Sequence, residues 1–176
     1  EYNGVAWSAE ATLNPNTGTG GVSSAAGTQT AVICSQLPSG GSAPYNAAGE
    51  YDGSSWSNAN NRPASNYSDG SAGTQTAGLF FGGGASPSSY TNATISYDGT
   101  NWTVEESMSV TKTVLGGSGT STAALACGGI TSPPATLTDA TEEYGGESWT
   151  AGGTLLTTLR DHRASGPQTA AIVAGG

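Results

Sequence analysis

Apolar and polar residues fall in short runs along this chain, and nowhere do they recur with the 3.6-residue period of an amphipathic helix. Ala93-Thr94-Ile95-Ser96-Tyr97 is one such run, β-branched and aromatic, which suits a pleated strand. Asp98-Gly99 follows, and then Asn101-Trp102-Thr103-Val104. Asp-Gly between two such runs predicts a tight hairpin, because glycine accepts the positive φ that the turn requires. A second hairpin is predicted downstream, from Val114-Leu115-Gly116-Gly117-Ser118-Gly119 into Thr122-Ala123-Ala124-Leu125-Ala126-Cys127. The last of these runs is apolar on both faces, as expected of a strand buried between neighbouring sheets. The chain reads as all-β.

The same pattern is written four times. Tryptophans stand at Trp7, Trp56, Trp102 and Trp149, each with a tyrosine five residues earlier: Tyr2, Tyr51, Tyr97 and Tyr144. A Gly-Thr-Gln-Thr-Ala marker runs in step at 27–31, 73–77, 119–123 and 166–170, as Gly-Thr-Ser-Thr-Ala in the third copy and Gly-Pro-Gln-Thr-Ala in the fourth. A fixed period in the forties marks an array whose units bury their apolar faces against one another. Counted from each tyrosine strand, the repeats span about 1–46, 47–92, 93–139 and 140–176 of one domain covering 1–176.

Each unit is expected to hold four short antiparallel strands, with a glycine corner such as Gly82-Gly83 or Gly128-Gly129 after the second; the first copy has Gln36-Leu37 there instead. Gly-Gly, then Tyr97 and Trp102 or Tyr144 and Trp149, in that order, resembles the kelch repeat. That resemblance implies a β-propeller of four-stranded blades, with the Tyr, Trp and Gly-Gly residues as framework. The sequence starts at a third strand and stops at a second one, so the two halves are expected to pair and close a four-bladed ring. The alternative is a stretch of a larger array, since a ring of six or seven such blades would need roughly 280–330 residues. The Gly-Thr-Gln-Thr-Ala and Tyr-Asp-Gly-x-x-Trp flavour is also similar to kelch-like arrays in virion and tail-fibre proteins of marine bacteriophages.

Composition narrows the function classes. Four Lys plus Arg against thirteen Asp plus Glu give a net charge of −9. Nucleic acid and anionic membrane surfaces both demand clustered positive charge, so neither is an expected partner. No apolar run reaches the roughly 18 residues needed to span a bilayer, and membrane insertion is not expected. The two cysteines, Cys34 and Cys127, sit in different repeats and read as buried free thiols. The opening residues show no signal peptide, and the missing initiator Met points to a processed product or a piece of something longer.

Candidate chemistry is thin. His162 is the single histidine, flanked by Arg160, Asp161 and Arg163 in an expected interblade loop. Glu105-Glu106 and Glu142-Glu143 are adjacent pairs that strand alternation turns to opposite faces, where they are expected to be solvated. Asp52, Asp69 and Asp98 lie in glycine-rich turns and are expected to cap them rather than hold calcium. No catalytic, cofactor-binding or metal-binding residue is assigned, and no cofactor is expected. The segments that differ between copies are Asn58 to Ser68, Glu105 to Lys112 and Leu155 to Arg163. Variable loops on a constant frame are where function usually sits. They nominate Asn61, Arg62, Tyr67, Lys112, Arg160, His162 and Arg163 as binding-loop residues.

The expected function is therefore a non-enzymatic structural or adhesive propeller, as the phage resemblance implies, in a virion or extracellular setting. Its expected partners are other virion subunits, host-surface glycan or protein, or copies of itself. Two rival classes stand beside it. One is a secreted glycan-degrading enzyme, a sialidase-like or lyase propeller using a carboxylate such as Asp69, Glu106 or Asp161. The other is a kelch-type protein-interaction scaffold.

Overall fold

The computed structural model describes residues 2, 4–9, 22–36, 46–86, 89–131 and 134–176; Asn3 of the first turn and Leu37 lie outside them. Strands β1 (Val22–Thr28), β2 (Ala31–Gln36), β3 (Ala48–Tyr51) and β4 (Trp56–Asn58) form one antiparallel sheet in chain order. The second sheet repeats that order with β5 (Gly70–Thr74), β6 (Ala77–Phe81), β9 (Thr94–Tyr97) and β10 (Trp102–Glu105). A small hairpin of β7 (Gly84–Ser86) and β8 (Ser89–Tyr90) intervenes between β6 and β9. The third sheet consists of β12 (Gly116–Thr120), β13 (Ala123–Cys127), β16 (Ala140–Tyr144) and β17 (Trp149–Thr154). Beside it lies a three-stranded sheet of β11 (Lys112–Thr113), β14 (Ile130–Thr131) and β15 (Thr136–Leu137). At the end of the chain β18 (Arg163–Ser165) pairs with β19 (Ile172–Ala174), and at the start Tyr2 and Trp7 form an antiparallel bridge. No helix occurs among the described residues.

Each expected hairpin is present, but Val114 and Leu115 precede β12 instead of joining it. Val114 has φ +50°, and its counterparts before the neighbouring leading strands, Ser68 and Asp161, both have φ +55°. Backbone bonds join these three kinks from sheet to sheet: Asp161 N–H donates to Val114 O at 3.1 Å and Val114 N–H to Ser68 O at 2.9 Å. That ladder satisfies the amides of Asp161 and Val114, the Ser68 amide donates to Ser23 Oγ, and together these bonds hold the three residues in the left-handed region.

The apolar core lies between the sheets. Ala26, Ile33 and Ala48 of the first sheet meet Phe80, Ile95 and Tyr97 of the second, with Trp102 against them. Leu79, Phe81 and Met108 then meet Leu115, Ala124, Ala126, Tyr144 and Trp149 of the third. Adjacent Phe80 and Phe81 serve the two opposite layers because strand alternation sends them to opposite faces. Every Tyr–Trp pair keeps one geometry, with ring centroids 5.2, 5.1, 4.6 and 5.1 Å apart along the chain. Burial is unequal, though: Trp149 is buried, Trp56 and Trp102 are half-buried, and Trp7 is 82 % exposed. The Gly-Gly corners are sterically enforced. Gly82 and Gly83 have φ +69° and +92°, and a Cβ would sit 2.7 Å from Lys112 O or from Tyr67 O.

A side-chain clasp fastens consecutive sheets. The Gln75 amide, in the β5–β6 turn, donates to Tyr51 O at 3.0 Å and Val32 O at 3.3 Å in the sheet before it. Gln168 does the same to Tyr144 O and Ala124 O, both at 2.9 Å. Gln29 reaches Tyr2 O at 3.0 Å. The N-terminal hairpin is thus held against the first sheet as a third strand would be.

Candidate functional site

The leading strands β1, β5, β12 and β18 converge on a cavity of about 330 Å³. Ser23, Ser24, Asp69, Ser71 and Arg163 line it together with backbone of Gly70, Gly116 and Gly117. Glycine is needed here for proximity: a Cβ on Gly117 would stand 2.5 Å from the Ser71 backbone. The Ser71 hydroxyl donates to Ala25 O at 2.7 Å, so it ties two leading strands together. Further along the same strands Ser118 is 5 % exposed, and its buried hydroxyl has no partner among the described residues.

Asp69 is buried, and its carboxylate is fully engaged. Oδ2 accepts from Arg62 Nη2 at 2.5 Å, and Oδ1 accepts from Ser24 Oγ at 2.8 Å and Ser23 Oγ at 3.3 Å. The Arg62 guanidinium also stacks near Phe80 and Trp102, 5.6 and 5.9 Å from the ring centroids. Arg62, expected on a binding loop, is 2 % exposed and belongs to the core. Burying a cation requires a counter-charge, and Asp69 supplies it.

Lys112 and His162 need the same correction. Lys112 is wholly buried, 3.2 Å from Glu142, whose other oxygen accepts from Ser109 N–H at 2.7 Å. Glu142 is therefore buried instead of solvated, while Glu143 faces out as strand alternation requires. His162 is 1 % exposed, with Nε2 at 3.0 Å from Cys127 O and 3.5 Å from Cys127 Sγ. Donation to the carbonyl places the proton on Nε2 and leaves Nδ1 without a partner. Burial lowers the His162 pKa below its ordinary value and pushes the Cys127 thiol up to about 11. A neutral imidazole beside a protonated, enclosed thiol is a packed pair, unlike an activated nucleophile.

The remaining nominated residues are spread out. Asn61 is exposed, Tyr67 is half-buried with its backbone bridged to Gly84 in both directions, and Arg160 is exposed 3.7 Å from Asp161. Of the nominated loop residues, Arg163 alone reaches the cavity wall. It donates to His162 O at 3.0 Å and has no carboxylate partner among the described residues. Asp52 and Asp98 cap their own turns. Asp52 Oδ1 accepts from the Ser54 and Ser55 amides at 2.8 Å, Asp98 Oδ1 from Thr100 and Asn101 at 2.8 and 2.7 Å. These amide bonds lower both carboxyls, Asp52 to about 2. No cluster of three or more His, Cys, Asp or Glu suited to a metal occurs among the described residues.

Sequence reasoning missed Asp69 and Ser24 as partners inside the fold. The available signal was the offset: Asp69 stands four residues before Gly73, where Leu115 and His162 stand before Gly119 and Gly166.

No family model matches the chain. No curated protein matches it either. A solved structure titled "Structure of YjhT" superposes with a TM-score of 0.65 at 14 % identity, over 74 % of this chain and 45 % of that one. The chain thus spans under half the length of that protein, and at this identity the likeness is one of fold.

Proposed function

We propose that this chain is a non-enzymatic, kelch-like propeller module that closes as a four-bladed ring and serves as a structural or adhesive part of a bacteriophage virion or tail fibre. One observation supports the non-enzymatic reading: the carboxylate, thiol and imidazole groups at and around the cavity are held in structural pairs, and the unpaired lining residue, Arg163, is a cation that does no acid–base work at neutral pH. Arg62 with Asp69, Lys112 with Glu142 and Cys127 with His162 leave no free acid–base or nucleophilic set there. What faces outward is a frame with exposed connections, suited to many modest polar contacts multiplied by copy number on a particle. The virion setting rests on the sequence resemblance alone.

Closure is supported by the cavity that all four leading strands line and by the Gln29 clasp on Tyr2. In the complete sheets, Val32, Gly78 and Ala124 pair with Tyr51, Tyr97 and Tyr144. A closed ring therefore pairs Ala171 with Tyr2. It would also cover Ile172, which is 73 % exposed whereas its counterparts Ile33 and Leu79 are 0 % and 1 % exposed.

Two experiments test the reading. Proteomics of purified phage particles and glycan-array binding should place the chain on particles and find a surface ligand. Polysaccharide turnover abolished by Glu106→Gln or Asp161→Asn, both exposed positions, would overturn the non-enzymatic assignment. For closure, NMR should give a cross-strand contact between Ala171 and Tyr2; rapid amide exchange throughout β19 would reject it.

A further inference from the structure

The clasp that joins consecutive sheets is missing at one place. The third copy has Ser121 where the others carry Gln29, Gln75 and Gln168, each two residues after its marker glycine. Gly78 O and Tyr97 O are the counterparts of the carbonyl pairs that Gln75 and Gln168 hold, and no side chain donates to either among the described residues. In place of the amide lies an open groove of about 240 Å³ between the second and third sheets, lined by Gly78, Tyr97, Asp98, Glu105, Ser121 and Tyr144 among others.

A second feature points to an occupant. Tyr144 is 2 % exposed, lines this groove, and its hydroxyl has no hydrogen-bond partner among the described residues. The equivalent Tyr97 hydroxyl, one sheet earlier, donates to Glu50 at 3.1 Å. Ser96 stands where Glu50 would, and its hydroxyl is spent on Glu105 Oε1 at 2.5 Å. The groove thus offers two carbonyl oxygens, a phenol oxygen and the second oxygen of Glu105. The carbonyls and the carboxylate are acceptors, and the Tyr144 phenol, whose pKa burial raises, can accept as well as donate. Its charge is negative: Asp98 and Glu105 line it, and Glu106 and Glu147 lie close enough to help raise the Tyr144 pKa. None of the lining residues is a cation.

We propose that this groove receives an arginine side chain from a protein partner, its guanidinium bonding to Gly78 O and Tyr97 O where Gln75 and Gln168 close the equivalent places, with Glu105 as counter-ion. A guanidinium fits better than a neutral amide. It presents several N–H groups in one plane, enough for both carbonyls and the carboxylate together, and its charge is opposite to that of the walls. The site is independent of ring closure and of the virion reading, since it needs only the second and third sheets.

The test uses N-acetyl-arginine amide as probe, followed by NMR on the full chain. Saturable shifts are expected at Gly78, Tyr97, Ser121 and Tyr144, without matching shifts at the Val32–Tyr51 and Ala124–Tyr144 clasps beyond Tyr144 itself. Ser121→Gln, which supplies the missing amide internally, should weaken binding at least tenfold while leaving the fold intact. Glu105→Gln should weaken it several-fold. Absence of saturation, unchanged binding in Ser121→Gln, or equal binding of N-acetyl-glutamine amide would each overturn the assignment.

Discussion

Arg62, Met108 and Leu155 occupy one position, six residues after Trp56, Trp102 and Trp149. Their amides make the same bond, to the carbonyls of Asn46, Asn92 and Asp139 at 2.8, 2.9 and 2.9 Å. The partner position reads Asp69, Leu115 and His162, so an ion pair in one copy is matched by the apolar Met108 and Leu115 in the next. This frames a double-mutant test. Arg62→Met alone leaves Asp69 buried and uncompensated and should cost about 3–5 kcal/mol. Adding Asp69→Leu should recover most of that loss, as measured by chemical denaturation. Failure of the second change to recover stability would show that Asp69 is held for its bonds to Ser24 and Ser23.

His162 gives a pH dependence whose sign is fixed by burial. The folded state holds it neutral and lowers its pKa below the ordinary 6.5. Above that pH both states are neutral and its contribution is level. As the pH falls below 6.5, the unfolded chain takes up a proton that the fold resists, so stability declines until the folded pKa is reached. Denaturant midpoints between pH 7.5 and pH 5 should therefore fall more steeply in the native chain than in His162→Gln.

The hairpin is the unit at the scale of elements, and two devices set its register. Asp52 and Asp98 cap the turns between third and fourth strands with side-chain to backbone bonds, and the Gly-Gly corners close the second strands. The glutamine clasp joins one sheet to the next. Gln75→Ala removes two hydrogen bonds and strands two carbonyls, so it should lower stability by about 1–2 kcal/mol. Ser121→Gln should act in the opposite direction, raising the thermal midpoint. Both are read by calorimetry, and equal effects of either sign would deny the clasp a role. The hairpins themselves are legible in the amino-acid sequence. Asp-Gly before Trp102 announces a turn, and the spacing of Tyr and Trp announces the strands around it. The motif Gly-Thr-Gln-Thr-Ala is visible as a marker, but the function of its glutamine is hidden. Its acceptors belong to a different repeat, and no sequence pattern states which carbonyl lies opposite.

For the whole molecule, burial depends on neighbours. Each tryptophan packs against the sheet that precedes its own, Trp149 Nε1 donating to Thr94 Oγ1 at 2.9 Å and Trp102 Nε1 to Asn60 O at 2.8 Å. Trp149 is therefore buried and Trp102 half-buried while Trp7, with no sheet before it among the described residues, is exposed. In such an array stability is shared between units and their interfaces. A ring that closes would make the exposures of Trp7 and Ile172 match those of their counterparts.

Local chemistry was enough to determine the strands, the turns and the period, because alternation, positive-φ glycines and aromatic pairs act within a few residues of one another. The role of the charged side chains was decided by tertiary structure. Arg62, Lys112 and His162 look like loop residues when read along the chain, since nothing near them in sequence shows that a buried partner awaits. Glu142 and Cys127 reach Lys112 and His162 from strands distant in sequence, and Asp69, although seven residues from Arg62, is enclosed with it only once the sheets pack around both. A buried charge is stable only where such a partner arrives, and the packing of one sheet upon the next, which sequence spacing does not encode, is what brings it there.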